Sequence, residues 1–269
     1  MNIQTIKQRA TDRFNEYVKN YDISDPKIAL KAFHTMKVAQ FCEEIAASLG
    51  LSENDILVAW LCGLLHDIGR FEQIRRFDTF VDAISFNHGH LSAEILWGTD
   101  AIEEKERCPV GNPSSPIIRD FIPSDEYDAI IRAAIWEHNA YRIADGYDER
   151  TLMFCNILRD ADKVDIFRVI AESDLSDTLN IPDSEFHNTL ISTRVMEAFF
   201  EHHCVLRSLK ETPIDYIVGY ISFFWELVYE KSRTLALEQG YLKKLVDFRV
   251  ELPEAKKQFE LIRKELSLT

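Results

Sequence analysis

The sequence predicts an all-α fold on three observations. Nine glycines and eight prolines in 269 residues are about half of what an average protein carries, too few turn-formers for a sandwich, barrel or propeller. Apolar residues recur at three- and four-residue spacing through most of the chain. Hydrophobic residues make up 46% of the sequence, with 17 phenylalanines, enough for a packed core and against intrinsic disorder. The length suits one large helical domain or a domain with an appended subdomain.

Residues 1–24 predict an amphipathic helix, because Ile3, Ile6, Phe14, Val18 and Tyr21 share helical spacing and no apolar leader core is present. Ser24-Asp25-Pro26 reads as a cap with proline in the first turn. It opens a helix on which His34, Val38, Phe41 and Ile45 lie on one face, and Gly50 closes it. Ser52 to Asp55 resembles a capping box before the nearly unbroken apolar run Ile56 to Leu65, a helix surrounded by protein, with His66 and Asp67 at its end. A looser segment, residues 70–85, leads to a helix starting near Asn87-His88. Residues 99–124 hold four of the eight prolines (Pro109, Pro113, Pro116, Pro123) and predict an inserted loop or lid. Ser124 is expected to cap a helix carrying Ile131, Ile135 and His138. The next helix starts near Asp148 and runs through Phe154, Leu158 and Asp162. Beyond residue 175, amphipathic helices are separated by Pro182, Pro213, Gly240 and Pro253, and the apolar stretch Tyr216 to Tyr229, which carries Glu226 and is short for a bilayer, predicts a buried core helix.

Charge and cysteine usage narrow the function. With 31 basic and 45 acidic residues the net charge is −14, which repels a polyanion, so no nucleic-acid polymer is expected as a partner. An acidic shell can still surround a bound cation that attracts an anionic substrate. The five cysteines (Cys42, Cys62, Cys108, Cys155, Cys204) form no CxxC pair; neither a disulfide framework nor a zinc ribbon is predicted, and a reducing, cytoplasmic setting without membrane attachment is expected.

His34, His66-Asp67, His88, His138 and Asp162 each fall on a separate helix or helix end, the way helical bundles assemble metal sites. Taken singly, His34 beside Val38 and Phe41 reads as a hydrogen-bonded core histidine, and Asp162 reads equally as a buried ion-pair partner. Jointly, six polar residues on apolar faces each need a buried partner, and a shared metal satisfies them all. A divalent ion lowers the pKa of water from 15.7 to about 7 and draws charge from phosphoryl oxygens, which suits hydrolysis of a phosphate ester.

His34, the HD dipeptide within LLHDIGRFEQ and Asp162 within ILRDADKVD resemble the H…HD…D signature of the HD-domain metal-dependent phosphohydrolase superfamily, over roughly residues 25–170. The resemblance implies an all-α HD-domain helical bundle, placed over residues 25–172, with His34, His66, Asp67 and Asp162 as ligands of one metal; the amphipathic pattern beyond it predicts additional C-terminal helices over 173–269. FNHGHLSAEIL and IWEHNAYRI resemble the extra histidine positions of two-metal members. That implies His88 and His138 on a second ion bridged by Asp67, with His90 behind the ligands or exposed. No GYP motif is present, and Arg70 stands where the HDxxED hydrolases have glutamate, which counts against cyclic di-GMP and stringent-response substrates.

The expected cofactor is one or two divalent ions, drawn from Mn, Fe, Ni, Co and Zn, with Mg also admitted. The expected substrate is a nucleotide or another small phosphate ester, a monoester or a diester. Asp67, Arg70 and Lys163 are the catalytic candidates, the two cations for phosphate oxygens or alternatively for surface ion pairs. Asn139, Asp82 and Gln73 are placed to orient ligands or to serve in caps and turns. His187, His202 and His203 are not expected to bind metal, and Phe223-Phe224-Trp225 is expected to pack. A di-iron oxygenase and a non-catalytic nucleotide sensor or scaffold are the alternatives, and a homo-oligomer is left open.

Overall fold

The computed structural model describes residues 2–98, 116–173 and 181–267, and every regular element among them is helical. The chain divides into two compact units, Met1–Asp162 and Lys163–Thr269.

The first unit is built from α1 (Ile3–Val18), α2 (Pro26–Ser48), α3 (Glu53–Leu65), α4 (Ile68–Phe77), α5 (His88–Trp97), α6 (Ile118–Phe121), α7 (Asp128–Glu137) and the first part of α8 (Glu149–Glu172). Local chemistry sets most boundaries. Asp25 caps α2 through Lys27 N with Pro26 in the first turn, Gly50 leaves α2 at φ 68°, and Ser52 accepts from Asp55 N at 3.2 Å. Asn87 caps α5 through His90 N, and Asp148 accepts from Thr151 N at 2.8 Å ahead of α8.

Helix α3 is buried without interruption from Leu57 to Leu65 and packs along α2. Gly63 makes that approach close: a Cβ there would stand 2.6 Å from Ala39 Cα and 2.9 Å from Val38 O. Backbone therefore meets backbone where the two helices cross.

Three sequence expectations need correction. Much of the segment read as loose, residues 70–85, is helix α4, which buries Ile68, Phe71 and Ile74. Gly69 lies inside α4 as a contact glycine against α5, where a Cβ would meet His88 O and Ser92 N at 2.8 Å. Ser124 does not cap α7. Its hydroxyl accepts from Glu126 N in a turn, and the helix begins at Asp128. The stretch Tyr216 to Tyr229 is not one helix: it breaks at Ser222 into a 3-10 turn over Ser222–Glu226.

Of the proposed insertion at 99–124, residues 99–115 lie outside the described residues. Part of the remainder is packed. Ile118, Phe121 and Ile122 are buried, and Arg9 of α1 donates to the carbonyls of Asp120 (2.9 Å) and Arg119 (2.8 Å).

The second unit continues α8 into α9 (Asp183–His187), α10 (Thr193–Phe200), α11 (Pro213–Ile221), α12 (Glu230–Glu238), α13 (Tyr241–Val246) and α14 (Pro253–Glu265). Proline opens α11 and α14, and Gly240 at φ 75° starts α13. Buried Asp215 accepts from the backbone of Ser192, Glu211 and Thr212, each at 2.9 Å, and from Ser192 Oγ at 2.8 Å, tying α10 to α11. His202 stacks on Trp225 at 4.0 Å and bonds Glu265 at 2.8 Å, while His187 stacks on Phe248. The four described cysteines are free. No helix among the described residues is long and apolar enough to cross a membrane.

Candidate metal centre

Six residues named from the sequence meet in the first unit. His34 comes from α2, His66 ends α3, Asp67 precedes α4, His88 opens α5, His138 ends α7 and Asp162 lies on α8. The HD dipeptide is the junction of two helices. His66 keeps helical angles, whereas Asp67 takes φ −106° and ψ 16°, in the sparsely populated bridge region.

Asp67 stands at the middle of the cluster with one oxygen on each side. Its Oδ2 lies 3.4 Å from His66 Nε2 and 3.6 Å from His34 Nε2; its Oδ1 lies 3.5 Å from His88 Nε2 and 3.7 Å from His138 Nε2. Asp162 Oδ1 completes the first side, 3.1 Å from His34 Nε2 and 3.8 Å from His66 Nε2. Most of these separations exceed hydrogen-bond length. Two ligands each 2.0–2.2 Å from one ion stand roughly 3.0–3.5 Å apart, close to what is found. Three triads have donor atoms within 4.8 Å of one another: His34, His66 and Asp67 on the first side, Asp67, His88 and His138 on the second, and His66, His138 and Asp162 across both.

The far nitrogens of three imidazoles fix their tautomers. His66 Nδ1 bonds Gly63 O at 2.8 Å and His138 Nδ1 bonds Ile135 O at 2.6 Å. A carbonyl only accepts, so each Nδ1 carries the proton. His88 Nδ1 likewise donates to Asp82 Oδ2 at 2.6 Å. With each Nδ1 so engaged, it is Nε2 that every ring turns inward, and those of His88 and His138 lie 2.9 Å apart. His66 Nε2 and Asp67 Oδ1 are buried without a hydrogen-bond partner. Buried acceptors of this kind cost free energy unless a ligand meets them, so the residues fit a metal.

Electrostatics agrees with the donor roles. Burial pushes the His88 imidazole down to about 3, helped by the Arg70 charge, so the ring is neutral near pH 7. Burial would raise the Asp67 and Asp162 carboxyls, but the Lys31 ammonium and His66 outweigh it at Asp67, and the His34 hydrogen bond does so at Asp162. Both stay ionised, well below the usual carboxylate range.

The flanking candidates sort by contact. Asp82 accepts from His88, from Asn139 Nδ2 at 3.1 Å and from Gln73 Nε2 at 2.9 Å, so these residues orient His88. Arg70 Nη1 bonds Phe80 O at 2.8 Å and Asp82 Oδ1 at 3.0 Å, while its Nε, 3.6 Å from Asp67 Oδ1, is buried with no hydrogen-bond acceptor. His90 stacks on Trp136 at 3.6 Å and is not among the converging donors. Lys163 is buried next to Asp162 on α8, and its charge bears on the Cys204 thiol of the second unit.

Compared with models of known families, residues 32–166 match the HD domain, half of the chain. The chain belongs to the HD-domain family. The HD domain is the all-α fold of a superfamily of metal-dependent hydrolases, and the buried His/Asp cluster is its candidate for a divalent ion. No curated protein and no solved structure shows significant similarity to this chain.

Two residues that brace the cluster in this HD domain escape a reading of the sequence. Lys31 Nζ bonds Asp67 Oδ2 at 2.7 Å, from a position three residues before His34 on the same helix face. Arg159, three residues before Asp162, is buried and donates to the carbonyls of Glu137 (2.7 Å), Tyr141 (3.2 Å) and Ala140. It closes the C-terminus of α7, where His138 sits. Arg159→Met strands those carbonyls and is expected to destabilise the protein by about 2–4 kcal/mol. Urea unfolding with an unchanged midpoint would refute this.

Proposed function

We propose that this HD domain is a metal-dependent phosphohydrolase acting on a nucleotide or another small phosphate ester. One observation carries the reading: Asp67 turns one oxygen toward His34 and His66, which Asp162 also approaches, and the other toward His88 and His138. The first side would hold one divalent ion and the second another, with Asp67 common to both. Such an ion supplies an activated water at neutral pH and offsets charge on phosphoryl oxygens.

The side chains then have definite tasks. Gly63 O, Ile135 O and Asp82 each hold a proton on the far side of an imidazole and keep its near nitrogen basic. Arg70, anchored through Nη1, retains an Nε–H for a phosphoryl oxygen. The leaving alkoxide takes its proton from water or a nearby acid. Lys163 is not needed for this reading.

The test is metal removal. Protein treated with chelator is expected to release no inorganic phosphate from a panel of nucleotides and sugar phosphates, and Mn, Fe, Ni, Co or Zn is expected to restore release. Phosphate release that survives complete metal removal would overturn the proposal. Oxygen uptake by iron-loaded protein, without phosphate release from any substrate, would assign the centre to oxygenase chemistry instead.

A further inference from the structure

Around Asp67 two cations approach from different sides. Lys31 Nζ lies 2.7 Å from Oδ2, on the His34 and His66 side, and Arg70 Nε lies 3.6 Å from Oδ1, on the His88 and His138 side. Both also face one aromatic ring. Lys31 Nζ is 5.5 Å and Arg70 Cζ is 5.8 Å from the centroid of Phe80, a partly exposed residue. Arg70 is further held by the Phe80 carbonyl. The segment that carries Phe80 is itself tied to α2, because Lys27, one turn before Lys31, bonds the carbonyl (2.9 Å) and the carboxylate (2.6 Å) of Asp78.

The two cations differ in freedom. The guanidinium is pinned at Nη1 and offers a fixed Nε–H. The Lys31 ammonium is a compact charge on a flexible stem, with three donors, 13% exposed and bonded to the carboxylate that both halves of the centre share. A divalent ion taken up against Oδ2 would repel that ammonium and free its donors for an anion arriving at the centre.

We infer that Lys31, with Arg70 and the Phe80 ring, forms an anion seat beside the metal centre, and that Lys31 is a specificity-determining residue for a dianionic phosphoryl group. A phosphomonoester carries close to two negative charges at pH 7 and three terminal oxygens, so it can engage the centre and still reach the ammonium. A diester carries one charge and two such oxygens. The inference rests on the phosphohydrolase reading, and it concerns what Lys31 touches once substrate is bound.

Isothermal titration of the manganese-loaded protein with inorganic phosphate at pH 7.5 tests it, with dimethyl phosphate as the monoanionic probe and manganese affinity measured in parallel. The variants are Lys31→Met, which keeps the stem against Phe80, Lys31→Gln as a second neutral form, and Lys31→Arg, which keeps the charge. The neutral variants are expected to bind phosphate about 10- to 100-fold more weakly, with Lys31→Arg recovering most of the loss. Dimethyl phosphate affinity should change little, and manganese should bind the neutral variants as tightly as wild type or more tightly. Undiminished phosphate binding by both neutral variants overturns the role of Lys31 and leaves the phosphohydrolase reading standing. Loss of manganese together with phosphate also overturns it, since Lys31 would then merely position Asp67. Equal losses for phosphate and dimethyl phosphate overturn the dianion preference. A manganese-loaded wild-type protein that binds no phosphate overturns the phosphohydrolase reading itself.

Discussion

Asp67→Ala is expected to remove both metal and phosphate release while leaving the helical circular-dichroism spectrum in place. Among the described residues Asp67 is the one with an oxygen toward His34 and His66 and another toward His88 and His138, so none of them covers its loss. Its carboxylate is held ionised by Lys31 and His66 against the cost of burial. Without it, Lys31 and Arg70 lose a shared counter-charge and repel any incoming cation. The activity loss is expected to be on the order of a thousandfold or more, because water activation depends on the ion being there. Asp67→Asn should behave almost as badly, since it keeps the shape and loses the charge. The checks are elemental analysis and single-turnover phosphate release on the same preparation. A variant that retains full metal stoichiometry and near-wild-type turnover would remove Asp67 from the centre.

The second large effect is on stability. Gly63→Ala places a methyl 2.6 Å from Ala39 Cα and 2.8 Å from Ala39 N, against backbone that cannot swing aside as a side chain would. The helices α2 and α3 must separate. The expected cost is about 3 kcal/mol, at the upper end for overpacking, and Tm should fall by roughly 6–12 °C. Because His34 and His66 ride on those helices, metal affinity is expected to fall with stability. Differential scanning calorimetry of the metal-free and metal-loaded forms separates the two effects, and an unchanged Tm in the metal-free form would mean that α2 and α3 do not meet as closely as described.

Much of the centre was legible in the sequence because its residues break a pattern. His34 interrupts an apolar face that otherwise reads Val38, Phe41, Ile45, and His66-Asp67 follows nine residues that are all buried in the fold. A polar side chain in such a position needs a partner, and the six found in this way converge. Lys31 and Arg159 were not legible, since a lysine or arginine on a helix is ordinarily a solvated cation and nothing local distinguishes these two. Helix α4 was not legible, since Gly69 near its start adds nothing to a helical pattern and serves instead to admit the backbone of α5. Asp82 could be named but not assigned, because its partner His88 is reached only after the intervening turn brings the carboxylate back to the ring.

Glycine, scarce in the sequence, occurs at the crossings of helices that carry the donors. Gly63 admits α2 to α3, Gly69 admits α5 to α4, and Gly89 admits α7 to α5, where a Cβ would stand 3.0 Å from Ile135 O and 3.1 Å from His138 Cε1. Where side chains separate two helices, a lost or altered methylene lets them settle by a fraction of an ångström. Where main chains touch, no such compliance exists. The spacing of the imidazoles is therefore set by hard contact between rods, and repacking elsewhere in the core should leave it nearly untouched. Rigid elements held in this way keep a site at working geometry before any ligand arrives.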